Sequence, residues 1–297
     1  MDLLIKSATI VDPDTRLNGT KTDILIEDGR IKKIGKGLIA GDNISVVASD
    51  DLHVSIGWMD MQVCFNDPGL EHREDLQSGC AAAASGGFTA VACMSSSHTP
   101  TQSKSEVEYI KQKTEAYAVD VLPIAALSQD MEGKAMTEMY DLKNAGAVAF
   151  SDSKKPLKDT GLLSRSMLYA KGLNVPVIVY PEDVLLAGEA KINEGEMSTL
   201  LGMKGIPALA EEIMVARDIA LAKYHETGLH FSTISTLKSV DLIRAAKQNG
   251  VAITCGVAVH NLILNESALV DFDSNYKLKP PLRSSADVEA LWAGLAD

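Results

Sequence analysis

Apolar runs recur along the chain with one rhythm before residue 54 and another after it. In the first stretch Leu3–Val11 is apolar and rich in β-forming residues, and Asp23–Ile26 and Ile31–Gly35 flank the pair Asp28-Gly29. Asp-Gly between two short apolar runs is a hairpin signal, because both turn positions favour residues that tolerate positive φ. Residues 1–53 therefore read as a small β unit. From 54 to 297 the runs are Val54–Val63, Phe88–Met94, Val121–Ser128, Ala147–Asp152, Val175–Tyr180, Leu229–Ser235 and Val251–Val259. Amphipathic segments such as Lys104–Ala118, Ala208–Tyr224 and Ser239–Gln248 lie between them. Strands apolar on both faces, spaced by helices, predict a parallel sheet covered on both sides. Seven such units, with no Gly-rich phosphate turn after the first, predict an α/β fold of the (β/α)8 TIM-barrel type rather than an open doubly wound sheet. Ser85-Gly86-Gly87 reads as a helix C-cap and turn. No eighth strand is found before Asp297, so the barrel is expected to be incomplete, with seven strands.

Charge narrows the function classes. The 297 residues hold 28 Lys and Arg against 40 Asp and Glu, a net charge of −12. Such a chain repels nucleic acid and anionic membrane unless a local basic patch exists, and the Lys and Arg residues are scattered along the sequence. No apolar run approaches the roughly 20 residues of a membrane span. The start, Met1 to Lys6, lacks the pattern of a signal peptide. The four cysteines, Cys64, Cys80, Cys93 and Cys255, are widely spaced and contain no C-x-x-C pair. They read as reduced thiols of a cytoplasmic protein.

In a parallel barrel the chemistry belongs at the C-terminal ends of the strands. Those ends read Asp60-Met61-Gln62-Val63-Cys64-Phe65-Asn66, Met94-Ser95-Ser96-Ser97-His98, Phe150-Ser151-Asp152, Val179-Tyr180-Pro181-Glu182-Asp183, Ser232-Thr233-Ile234-Ser235-Thr236 and Gly256 to Asn261. Together with Asp67-Pro68-Gly69 through Gly79, Gly86-Gly87-Phe88-Thr89, Gly146 to Asp152, Gly205-Ile206-Pro207, Ala246-Lys247 and Lys279-Pro280-Pro281-Leu282-Arg283, these segments resemble the long bacterial dihydroorotases of the amidohydrolase superfamily. The resemblance implies that residues 1–53 are part of a small β-sandwich and that 54–297 form the amidohydrolase barrel lacking its last strand. It also implies two zinc ions and the reversible cyclisation of carbamoyl aspartate to dihydroorotate, with a His-x-His on strand one, a bridging carboxylate on strand four and one His each on strands five and six.

At those positions this chain carries other residues. Gln62 and Cys64 stand for the His-x-His, Tyr180 and Thr233 for the two later histidines, Asn66 for a substrate-binding Arg and Ser96 for a substrate-binding Asn. Asp152 is expected to survive as the bridging carboxylate, and Tyr180 and Gln62 are able to donate to it. His260 aligns with a loop residue near the substrate, weighed against an ordinary loop histidine. Cys64 with Asp152 supplies two zinc ligands where about four are needed, and a small core thiol is the plainer role for Cys64. His230 lies three residues before Thr233 and is expected to point elsewhere. Glu71, Glu182 and Asp183 read as loop-packing and helix-start acids.

Two functions follow as expectations. In the first, the chain is a non-catalytic dihydroorotase-like protein of pyrimidine synthesis that binds no cofactor. It would form a homodimer and act as a structural partner of aspartate transcarbamoylase, with no nucleic-acid or membrane partner. In the second, it is an active dihydroorotase or cyclic-amide hydrolase with an atypical site, with zinc at Asp152 and Cys64 if any metal binds.

Overall fold

The computed structural model describes residues 2–96 and 98–297, and they fall into two compact units, Met1–Trp58 and Met59–Asp297. In the first unit β1 (Leu3–Val11), β2 (Lys21–Glu27), β3 (Arg30–Gly35), β4 (Ser45–Ala48) and β5 (His53–Ser55) form one five-stranded sheet. β1 is its centre, antiparallel to β2 and parallel to both β4 and β5. The β2–β3 hairpin turns at Asp28 and Gly29, with φ of 51° and 70°. These left-handed values explain the Asp-Gly pair, since Gly meets no steric penalty there.

In the second unit β6 (Trp58–Val63), α1 (Leu76–Ser85), β7 (Phe88–Cys93), α2 (Lys104–Thr114), β8 (Asp120–Ala125), α3 (Met139–Ala145), β9 (Ala149–Phe150), α4 (Thr160–Leu173) and β10 (Val177–Val179) alternate strand with helix. After β10 the rhythm is interrupted by α5 (Val184–Ala187), β11 (Ile192–Asn193), α6 (Glu196–Leu200) and β12 (Gly205–Ile206). It resumes with α7 (Leu209–His225), β13 (Leu229–Phe231), α8 (Leu237–Gln248), β14 (Ile253–Cys255), α9 (Val259–Ile263) and α10 (Ser285–Gly294). The strands form a seven-stranded sheet in the order β6-β7-β8-β9-β10-β13-β14. The pairings from β7 through β14 are parallel. β11 and β12 make a separate two-stranded parallel sheet.

Strand alternation divides the core into two layers. Ala125 and Phe150 join the large buried cluster that also holds Leu163, Met167 and Phe231 under the helices. Their neighbours Ile124 and Ala149 join Ala92, Met94 and Ile178 on the other face. Both faces are thus apolar, which is why these strands are uninterrupted apolar runs. The run Val54–Val63 is the exception. It divides into β5, which pairs with β1, and β6, which pairs in the barrel sheet. Gly57 separates the two strands.

Candidate functional site

The strand ends bring together residues far apart in sequence. The Gln62 side chain, on β6, donates from Nε2 to the backbone carbonyl of Ser232 at 2.8 Å, and its Oε1 lies 3.5 Å from Thr233 Oγ1. Residues 62 and 233, both implied as zinc ligands, therefore meet each other through a neutral amide and a hydroxyl. Gly256 packs against the same carbonyl so closely that a Cβ there would stand 2.6 Å from Ser232 O. Gln62, Cys64, Lys154, His230, Ser232 and Thr233 border a cavity of about 550 Å³.

Asp152 is not part of this arrangement. Its Oδ1 accepts from the backbone N–H groups of Leu127 and Ser128 at 3.0 and 2.9 Å, and its Oδ2 accepts from Ser128 Oγ at 2.5 Å. The side chain caps the end of β8, and Gln62 does not donate to it. Burial pushes the carboxyl pKa up, against the lowering effect of these hydrogen bonds. The adjacent Ser153, at φ 55°, donates its Oγ to the Ser95 carbonyl at 2.7 Å.

Cys64 departs from the core role expected of it. It is exposed at the cavity, recessed enough that desolvation raises its thiol pKa. Cys64 follows Val63, the last residue of β6, and so lies past the packed layers at the end of the strand, where a barrel opens. Tyr180 is buried, and its hydroxyl is held un-ionised by burial and then by the negative charges of Glu182 and Glu211. Lys279 Nζ lies 5.0 Å from the centre of the Tyr180 ring and 2.8 Å from Glu182 Oε1. Asn66 occupies a left-handed turn at φ 59° and donates from Nδ2 to Cys64 O at 3.2 Å. The Ser96 hydroxyl accepts from His98 N at 3.2 Å.

His230 borders the same cavity as Gln62 and Thr233, but its Nδ1 is engaged with Thr254 Oγ1 at 2.8 Å. Burial lowers its pKa. The His260 pKa is lowered by burial and by the charge of Lys154, and its Nε2 is buried without a hydrogen-bond partner, as is Ser232 Oγ. The acids behave as the sequence suggests. Asp183 caps α5 by accepting from Leu185 and Leu186 N–H, and Glu71 accepts from Gly69 N–H.

Sequence reasoning missed one buried network. Arg283, 3% exposed, donates to Ser235 Oγ, Asn193 Oδ1 and the Ile206 carbonyl at 3.0, 2.9 and 3.1 Å. Glu211 accepts from the N–H groups of Ser235 and Thr236 and from both hydroxyls, with Arg283 3.7 Å away. This network bolts the β11–β12 pair to the end of β13. In the sequence Glu211 is one of two acids at the start of the Ala208–Tyr224 amphipathic segment and Arg283 ends the Lys279–Arg283 segment, with nothing local to join them.

Zinc is the metal that the resemblance implies, and the donor set does not fit it. Neutral amide and hydroxyl oxygens are weak zinc donors compared with imidazole or thiolate. Gln62 is also spent on the Ser232 carbonyl, and Asp152 on the end of β8. Among the described residues no group of three or more His, Cys, Asp or Glu side chains is placed to hold a metal ion.

A family model and curated relatives show kinship, and solved structures show the fold. Residues 53–239 match the family model described as dihydro-orotase-like. A dihydroorotase from Citrifermentans bemidjiense is 43% identical over all of this chain and 70% of its own length. One from Acetivibrio thermocellus is 43% identical over 99% of this chain and 69% of its own. The fold is that of the L-hydantoinase (dihydropyrimidinase) from Arthrobacter aurescens, at a TM-score of 0.80 and 20% identity over 98% of this chain. This chain spans 66% of the hydantoinase chain. With the family model covering residues 53–239 and relatives 43% identical along its whole length, the chain belongs to the dihydroorotase-like family.

Proposed function

We propose that this chain is a dihydroorotase-like protein of pyrimidine biosynthesis that does not cyclise carbamoyl aspartate and that works in the cytoplasm by association. One observation carries the proposal: two positions implied as zinc ligands are knitted to each other and to a backbone carbonyl by the Gln62 amide. An enzyme that needs a metal-bound hydroxide requires those positions to offer imidazole lone pairs. Asn66 in place of Arg adds a second loss, because an amide cannot form the bidentate clamp on a carboxylate. The expected partners are a second copy of the chain and aspartate transcarbamoylase. The resemblance supports both, and so do Met59 and Met61, 48% and 46% exposed on the edge strand β6.

Three measurements test the reading. Elemental analysis of the purified chain should find less than one zinc per chain after zinc loading and dialysis. Light scattering should give a dimer mass, and the transcarbamoylase should co-purify from the source cell. A strictly monomeric chain without that partner would remove the association half.

A second reading is an active dihydroorotase with an atypical site, and the 43% identity to dihydroorotases over the whole chain favours it. It requires turnover that survives without the four histidines.

A further inference from the structure

We propose that the lysine-lined cavity at the C-terminal end of β9 is a binding site for a small molecule carrying two or more phosphate groups. Three lysines of one short run, Lys154, Lys155 and Lys158, are joined there by Lys134 and Lys279, and together they border a single cavity of about 560 Å³. The chain as a whole carries a charge of −12. A concave site whose local charge opposes that of the whole molecule focuses field on a small anion, while the surrounding surface repels nucleic acid or an anionic membrane.

The carboxylates at the cavity do not neutralise it. Glu132 holds Lys134 at 2.7 Å, and Glu182 holds Lys279 at 2.8 Å. Asp159 accepts from the Leu162 N–H at the start of α4 and Asp152 from the end of β8, and the five lysines of the lining outnumber its three carboxylates, Glu132, Asp152 and Asp159. Among the described residues Lys154, Lys155 and Lys158 join none of the close ion pairs. The Lys154 ammonium donates to the Lys279 backbone carbonyl at 2.8 Å.

Phosphate is the favoured chemistry for two reasons. The cavity is lined by lysines and no arginine. Lysine ammoniums bind phosphate oxygens as compact point charges, and several of them around one space match a ligand that concentrates more negative charge than a carboxylate does. The volume also lies in the range of roughly 300–1,000 Å³ typical of small-ligand sites. The inference stands apart from whether the chain turns over carbamoyl aspartate, because binding is read without any reaction.

Isothermal titration calorimetry of the full chain with inorganic pyrophosphate, at fixed ionic strength, tests it. One site per chain is expected. Lys154→Gln and Lys158→Gln should each weaken binding at least tenfold, and Lys223→Gln, on α7 away from the cavity, should leave it unchanged. Lys158 is exposed, so its variant keeps the test valid if Lys154→Gln fails to fold. The proposal fails if pyrophosphate gives no more heat than sulfate at the same ionic strength. It fails equally if succinate binds as tightly, or if the two cavity variants bind like the parent chain.

Discussion

Gln62 and Ser232 are joined by a side-chain amide that donates to a backbone carbonyl at 2.8 Å, tying the first strand of the barrel sheet to the end of the sixth. Among the described residues no sheet pairing connects β6 with β13, and this contact and Thr233 Oγ1 at 3.5 Å are what the curl of the sheet brings together there. Gln62→Ala removes the donor and leaves the carbonyl unpaired. A cost of about 1–2 kcal/mol is expected, read as a lower midpoint in urea unfolding with an unchanged slope. An unchanged midpoint would mean that the amide is idle.

Asp152 makes a different prediction from that of a metal ligand. Asp152→Ala strands two backbone N–H groups and the Ser128 hydroxyl at the end of β8. The expected loss is about 3 kcal/mol or more, since each orphaned buried donor costs about 1–3 kcal/mol. Thermal unfolding of the metal-free protein should show it in full. A variant that loses bound zinc but keeps its unfolding temperature would restore the bridging role.

Most of the barrel was legible in the chain because a strand buried on both faces must be apolar throughout. Phe88–Met94 and Leu229–Ser235 contain β7 and β13 for that reason, and Lys104–Ala118 contains α2. The division of Val54–Val63 was not legible, because β5 and β6 are separated by only two residues and join different sheets through distant partners. Positions 62, 64, 180 and 233 could be placed at strand ends by alternation and resemblance. The hydrogen-bond partners of Asp152 lie 24 and 25 residues earlier and those of Gln62 about 170 later, separations over which local pattern carries no signal. The run Lys154-Lys155-Pro156-Leu157-Lys158 is visible in the sequence, but its meeting with Lys134 and Lys279 is not.

His230 and His260 should respond differently to one substitution. Burial alone lowers the His230 pKa, whereas burial and the Lys154 charge together lower that of His260. Lys154→Gln should therefore raise the His260 pKa toward the usual imidazole value and leave His230 in place. Ring-proton titration by NMR distinguishes the two. A shift at His230, or none at His260, would place Lys154 elsewhere.

Asp218 supplies a pH signature of the core. It is 1% exposed on α7, and burial raises its pKa to about 6 although Arg217 Nε lies 2.7 Å away. The native state therefore holds this proton more tightly than the unfolded chain does. Its contribution to stability is full below the unfolded value of 3.8 and is lost as pH rises through about 6. Linkage sets the size at no more than about 3 kcal/mol. Urea unfolding of the parent and Asp218→Asn across pH 4 to about 7 should show the parent losing stability relative to the variant. The opposite slope would mean that the Arg217 pairing outweighs burial.

The central claim is that the exchange of metal-binding histidines for a hydrogen-bonded amide, thiol, phenol and hydroxyl ended turnover. Its most direct test is dihydroorotate formation from carbamoyl aspartate by the purified full chain with zinc supplied, beside the Citrifermentans bemidjiense dihydroorotase under the same conditions. The account predicts product from the relative and none above the protein-free rate from this chain. Steady turnover by this chain that scales with its concentration and is lost in Cys64→Ala would contradict it.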